Sequence, residues 1–169
     1  MDPERTSNKT RGTLVHASAI AFGSRAVLLR GPSGIGKSDL ALRLVNRPCN
    51  DPLEPNIQLI CDDYVDVFVD QADQLMVQAG SERIRGLLEV RGVGIFQLPT
   101  VQTAALALVV DLAPPDGTIP RLPDEDEGCT LISGRSIPRV NVKPFEVSAV
   151  DKIMLAMSGT RYDQDASSC

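Results

Sequence analysis

The chain has 169 residues, 43% of them apolar, and a net charge of −5. That length suits one domain with a real core, and the acidic balance with no basic stripe argues against nucleic acid as the main partner. One histidine and four scattered cysteines (Cys49, Cys61, Cys129, Cys169) argue against a structural zinc site and suggest reduced thiols. No signal-peptide core and no bilayer-length apolar run is visible, so the cytoplasm is the expected location.

Residues 1–11 are polar and charged and are expected to be a flexible start. Thr13 to Phe22 is small and apolar apart from His16, and Gly23-Ser24 separates it from Arg25 to Arg30. The spacing predicts an antiparallel hairpin. Next comes Gly31-Pro32-Ser33-Gly34-Ile35-Gly36-Lys37-Ser38, which fits G-x-x-x-x-G-K-[ST]. A helix is predicted from about Lys37 to Asn46, and Pro48, Pro52 and Pro55 follow it. Strand, glycine loop and helix form the context of a phosphate site. Glycines let backbone N–H groups curl round a polyphosphate, and the helix N-terminus adds positive potential. Lys37 can reach the β- and γ-phosphates, and the Ser38 hydroxyl can hold Mg²⁺. The alternative is a plain strand–turn–helix corner.

Ile57 to Cys61 reads as a buried strand ending in Asp62-Asp63. Beside a phosphate site, one carboxylate can bind Mg²⁺ and the other can take a proton from an attacking hydroxyl. Otherwise the pair merely opens a turn. Val65 to Val69 alternates and reads as a half-buried strand, with Gln74 to Ala79 as its partner. The stretch from Arg83 to Ile95 carries too much Arg and Gly for a core strand. Within it, Glu89 and Arg91 stand two apart, which on an extended segment puts them on one side. They suit a metal shell and phosphate charge, or else form a surface ion pair. His16, alone among apolar residues, is either a core histidine or a site residue. Ala104 to Leu112 reads as a buried strand, Asp124 to Glu127 as a solvated acidic run, and Thr130 to Ile132 with Ile137 to Val142 as the last strands. Ser148 to Met157 has the apolar spacing of a helix. Residues 12–157 are expected to form a single domain, followed by a flexible tail, 158–169.

These motifs together resemble one family, the HPr kinase/phosphorylases, which phosphorylate a serine of the phosphocarrier HPr in the bacterial sugar phosphotransferase system. The family's loop G-x-S-G-x-G-K-S is matched by Gly31 to Ser38, and its A-D-D strand end by Cys61-Asp62-Asp63. The signature L-E-[IV]-R-G-[LV]-G-I appears as Leu88-Glu89-Val90-Arg91-Gly92-Val93-Gly94-Ile95. A His fifteen residues before the first loop glycine matches His16 and Gly31. These features cover residues 13 to 97.

The resemblance implies an α/β fold. Its mixed sheet is like that of phosphoenolpyruvate carboxykinase, with a helix after the glycine loop and a C-terminal helix. It implies ATP on Gly31, Ser33, Gly34, Ile35, Gly36, Lys37 and Ser38, and Mg²⁺ near Ser38, Asp62 and Glu89. Asp63 is implied as the base, assisted by Asp62, His16 and Arg91. Running in reverse with inorganic phosphate, Asp63 would act as the acid. The implied partners are HPr, ATP and phosphate or pyrophosphate, with hexamer formation and no nucleic acid or membrane.

The chain also departs from the family pattern. The N-terminal domain is expected to be missing, as in short alpha-proteobacterial forms. The Gly- and Ala-rich loop after the signature is absent, and P-V-R-P-G-R-N has become Arg139-Val140-Asn141-Val142-Lys143-Pro144-Phe145. Lys143 takes the place of that motif's first arginine as a point charge. The remaining alternatives are a nucleotide-sensing module with little turnover and a P-loop kinase for a small metabolite.

Overall fold

The computed structural model describes residues 12–48, 56–122 and 128–158. The predicted flexible start, the acidic run, Cys49 and Cys169 lie outside the described residues. So does the predicted tail, apart from Ser158, which ends the last helix.

Among the described residues, ten strands and two α-helices follow in order: β1 (Thr13–Phe22), β2 (Arg25–Arg30), α1 (Lys37–Val45), β3 (Ile57–Cys61), β4 (Tyr64–Val69), β5 (Leu75–Ala79), β6 (Leu87–Val90), β7 (Gly94–Gln97), β8 (Thr103–Leu112), β9 (Cys129–Ile132), β10 (Arg135–Val142) and α2 (Ala149–Ser158), with a 3₁₀ turn at Glu82–Ile84. Eight strands make one mixed sheet in the order β2-β1-β4-β5-β8-β10-β9, with β3 added on β1. Because β8 also pairs with β2, five of these strands close into a ring. The β8–β2 and β8–β10 ladders are parallel, and the other ladders of this sheet are antiparallel.

β1 from Ala17 onward and β2 from Ala26 to Leu29 are buried on both faces, which is why they read as near-continuous apolar runs. Ala17, Ala19 and Ala21 of β1 join Ala26 and Leu28 of β2 in one cluster, away from the helices. Ile20 and Phe22 join Val27, Leu29, Leu40, Leu44 and Ile153 in the other, beneath α1 and α2. The period of two thus sends His16 and Ser18 to the helix-bearing face, the side on which α1 begins. α1 ends at Val45 with Asn46 as its cap, one residue short of the predicted end.

The Arg- and Gly-rich stretch forms a separate two-stranded hairpin, β6–β7. Val93 N–H donates to Val90 O at 2.9 Å, closing a turn over Arg91-Gly92. Gly92 takes φ +80° at its third position, where a type II turn favours glycine. Arg91 is therefore a turn residue, so the extended-segment argument for Glu89 and Arg91 does not describe their backbone.

Cys61 and Cys129 are free thiols. Burial pushes the Cys61 thiol up to about 11, which keeps it a neutral core group, whereas Cys129 is exposed. Among the described residues no helix is long and apolar enough to cross a membrane.

Candidate functional site

The site grows from a change of partner along β1. Its first residues pair with β4, ending at His16 opposite Tyr64. Its later residues pair with β3, beginning at Ala19 opposite Cys61. The chain turning from β3 into β4 is Asp62-Asp63, so this corner lies against the gap, Ala17-Ser18. Ala17 N–H donates to Asp63 O at 3.0 Å and fixes the corner to β1. Asp63 adopts φ +96°, a left-handed conformation that Asp tolerates better than most residues.

That geometry gives each carboxylate a partner from the same face of β1. Ser18 donates from Oγ to Asp62 Oδ1 at 2.5 Å, and Ser38 from Oγ to Asp62 Oδ2 at 2.7 Å. His16 Nε2 lies 3.0 Å from Asp63 Oδ1. The His16 ring also meets Tyr64, with centroids 5.4 Å apart. The His16 side chain is 39% exposed, so it is not a core histidine.

The glycine loop runs from the end of β2 into α1. Gly36 caps the helix at φ +109° without a side-chain cap bond, and Leu40 N–H makes the first helical bond to Gly36 O at 3.0 Å. A β-carbon at Gly36 would also stand 2.8 Å from Phe145 Cζ, so glycine is required on two counts. Lys37 is only 7% exposed. Its ammonium donates to Gly31 O at 2.9 Å and Pro32 O at 3.1 Å, holding the loop closed on itself.

One cleft of about 710 Å³ collects the loop residues Ser33, Gly34, Gly36, Lys37 and Ser38 with His16, Asp62, Asp63, Glu89 and Arg91. Gly31 and Ile35 are not part of its lining, and a β-carbon at Gly31 would stand 3.0 Å from Ile35 Cγ2. Glu89 and Arg91 make no ion pair with each other among the described residues. They face the loop from the β6–β7 hairpin, and so the two halves predicted to share a site meet across this space.

The donor set fits Mg²⁺. Ser38 and Asp62 supply hard oxygens beside the phosphate loop, and Mg²⁺ commonly takes few protein ligands, with phosphate and water completing its shell. Among the described residues, no group of three His, Cys, Asp or Glu side chains forms a metal cluster. Glu89 lines the same cleft as the two aspartates. Lys143 donates to Pro115 O at 3.0 Å and is not part of the cleft lining.

Ser18 is a member of the site that sequence reasoning missed. It is fully buried, and its only sequence signals are its polarity in an apolar run and its place two residues after His16.

The chain is similar to several known proteins. A HPr kinase/phosphorylase of Streptococcus equi subsp. zooepidemicus is 34% identical over 139 residues, which cover 77% of this chain and 42% of that protein. The Streptococcus mutans HPr kinase/phosphorylase is 33% identical over 159 residues, covering 89% of this chain and 48% of its own. The chain therefore spans less than half the length of these curated relatives. The solved structure of the Hpr(Ser) kinase/phosphatase from Coxiella burnetii matches with a TM-score of 0.65 at 25% identity, covering 85% of this chain and 86% of that one. Residues 7–154 match the family described as HPr Serine kinase C-terminal domain. With that match spanning most of its length, the chain belongs to the HPr serine kinase C-terminal domain family.

Proposed function

We propose that this chain is an ATP- and Mg²⁺-dependent protein serine kinase of the cytoplasm, acting on the phosphocarrier HPr, with residues 12–157 as its catalytic domain. The observation that carries the reading is the His16–Asp63 contact at 3.0 Å, opening into the same cleft as Lys37 and Ser38.

In this reading the loop amides and the α1 N-terminus bind the polyphosphate, and buried Lys37 adds a fixed positive charge. Mg²⁺, when bound, neutralises phosphate charge beside Ser38 and Asp62. Ser18 holds Asp62 from behind, so its carboxylate is oriented before any ligand arrives. His16 occupies Oδ1 of Asp63, which leaves Oδ2 to take the proton from the attacking serine. The serine oxygen forms its bond to the γ-phosphorus while the bond from that phosphorus to the bridging oxygen breaks. ADP leaves with that oxygen, and the proton rests on Asp63. Arg91 and Glu89 complete the far wall, where Arg91 offsets phosphate charge. Attack by inorganic phosphate on phosphoserine would use Asp63 as the acid. Assembly into a homo-oligomer is the family-based part of the reading, and light scattering tests it.

The experiment is to incubate the protein with ATP, Mg²⁺ and HPr and to follow phosphoserine by mass spectrometry. The expected result is one phosphoserine on HPr. Tight ATP binding without transfer would replace the kinase with a nucleotide-sensing module. Transfer to a small metabolite but not to HPr would make it a metabolite kinase.

A further inference from the structure

Phe145 is 60% exposed in a chain with only four phenylalanines, two tyrosines and no tryptophan. A single exposed apolar side chain is ordinary. What sets Phe145 apart is how it is held and what it stands beside. Arg43 of α1 donates to the carbonyls on both sides of it, Pro144 O and Glu146 O, the latter at 3.4 Å. Glu146 N–H donates to Lys143 O at 3.2 Å and Ala149 N–H to Glu146 O at 3.1 Å, so the segment is wound tightly into the start of α2. The ring edge rests on the glycine loop, where a β-carbon at Gly36 would come 2.8 Å from Cζ and 3.2 Å from Cε1. Leu42, one helical turn beyond Ser38, lines the same cleft as Phe145, together with Asp39. The Asp39 carboxylate is already engaged by Arg43 Nε at 3.1 Å.

We propose that Phe145 and Leu42 form the platform for the base of a nucleotide whose phosphates lie on the glycine loop. The inference rests on the phosphate reading above and adds where the nucleoside goes. Phosphates held at Lys37 and Ser38 direct the next phosphate along the first turn of α1, toward Asp39 and Leu42. From there a single ribose separates phosphate from base. A base has an apolar π-face, and a pre-positioned aromatic ring receives it at little entropic cost. The polar side chain at this end is taken up by Arg43. Stacking therefore sets the affinity, and one purine is accepted much like another.

Calorimetric titration with ATP, GTP and inorganic triphosphate, each with Mg²⁺, tests the platform. ATP should bind the unmodified chain about tenfold more tightly than triphosphate, as one stacked base contributes, with GTP close to ATP. Phe145→Ala should bring ATP down to the affinity of triphosphate and leave triphosphate unchanged. Equal binding of ATP and triphosphate by the unmodified chain overturns the platform and leaves the phosphate reading standing. An equal loss of both ligands in Phe145→Ala makes the ring a prop for the loop and also overturns it. A wide gap between ATP and GTP overturns a site that works by stacking alone. Failure of all three ligands to bind the unmodified chain defeats the phosphate reading and the platform with it. Phe145→Trp gives an independent readout, because it introduces the chain's sole tryptophan. Its emission should be quenched by ATP and not by triphosphate, and identical responses to the two would count against the proposal.

Discussion

On the glycine-loop wall of the cleft, the polar groups have partners from the protein itself. Lys37 is bonded to two carbonyls, Asp62 to two hydroxyls and Asp63 to His16. These groups hang from β1, β3, β4 and α1, all packed on one eight-stranded sheet. The β6–β7 wall differs on each point. It is a two-stranded sheet of its own, and all four residues of β7 are exposed. Buried Leu88 anchors it, with a backbone bond from Gly86 N–H to Ile60 O at 3.0 Å, while Leu98 N–H to Gly86 O at 2.9 Å closes the base of the hairpin. A lone hairpin is marginal without such anchoring. Proton transfer demands fixed geometry, and the group read as base stands on the supported wall with Ser38 and Asp62, whereas Glu89, the third group read as a metal ligand, stands on the hairpin. Charge neutralisation tolerates looser placement, and Arg91 stands on the other.

The strongest way to break this division is Asp63→Asn. Asn accepts the left-handed backbone that Asp63 adopts, so the corner between β3 and β4 should survive the change. Loss of the proton acceptor should lower phosphoserine formation by about 10²–10⁴-fold while ATP affinity is kept. Rates of HPr phosphorylation alongside nucleotide titration check it. If ATP binding disappeared as well, Asp63 would be a structural part of the phosphate wall.

Arg91→Ala probes the looser wall, and its effect should be smaller. Removing a charge aimed at a transferred phosphoryl group costs 10²–10³-fold in a closed site, and exposure to solvent lowers that here to about 10–100-fold. The melting temperature should not move, since Arg91 lies exposed in a turn. Because the charge is screened, the gap between the two proteins should narrow as salt rises. A gap that is constant from low to high salt would mean that Arg91 acts by contact and shape.

The same contrast governs how much was legible beforehand. The glycine loop could be read in full because its chemistry lies on consecutive residues, and its flanking strand and helix were equally local. The β1–β2 hairpin followed from one Gly-Ser turn. Ser18 could not be assigned, because its partner is fixed by the register of β1 with β3 and β4, about forty residues on. The closing of the ring through β8 and β2 is likewise a long-range pairing that local patterns do not encode. Glu89 and Arg91, read as metal-shell and phosphate-charge groups, both line the cleft, although the extended-segment argument that paired them is undone by the turn at Gly92. Phe145 had a sequence signal in the scarcity of aromatics. Its meaning appears only when Arg43 and Gly36 are seen on either side of it.

Ser18→Ala has the smallest expected effect on turnover and tests the supported wall from behind. Ser18 is fully buried, and its hydroxyl bonds a carboxylate, a class of hydrogen bond worth about 1.5–3 kcal/mol. Its loss should lower the melting temperature by roughly 3–10 °C for a chain of this size. Turnover should fall only about threefold to tenfold, because Ser38 still holds Asp62 by the other oxygen. Melting curves and HPr phosphorylation rates measure the two effects separately. Ser18→Thr separates orientation from packing, since it keeps the hydroxyl but adds a methyl group to a closed space. If Ser18 orients Asp62, the Thr variant should melt lower than the unmodified chain yet keep most of its turnover. A Thr variant that loses as much turnover as the Ala variant would reduce Ser18 to a packing residue, and would leave Ser38 as the one hydroxyl that positions Asp62.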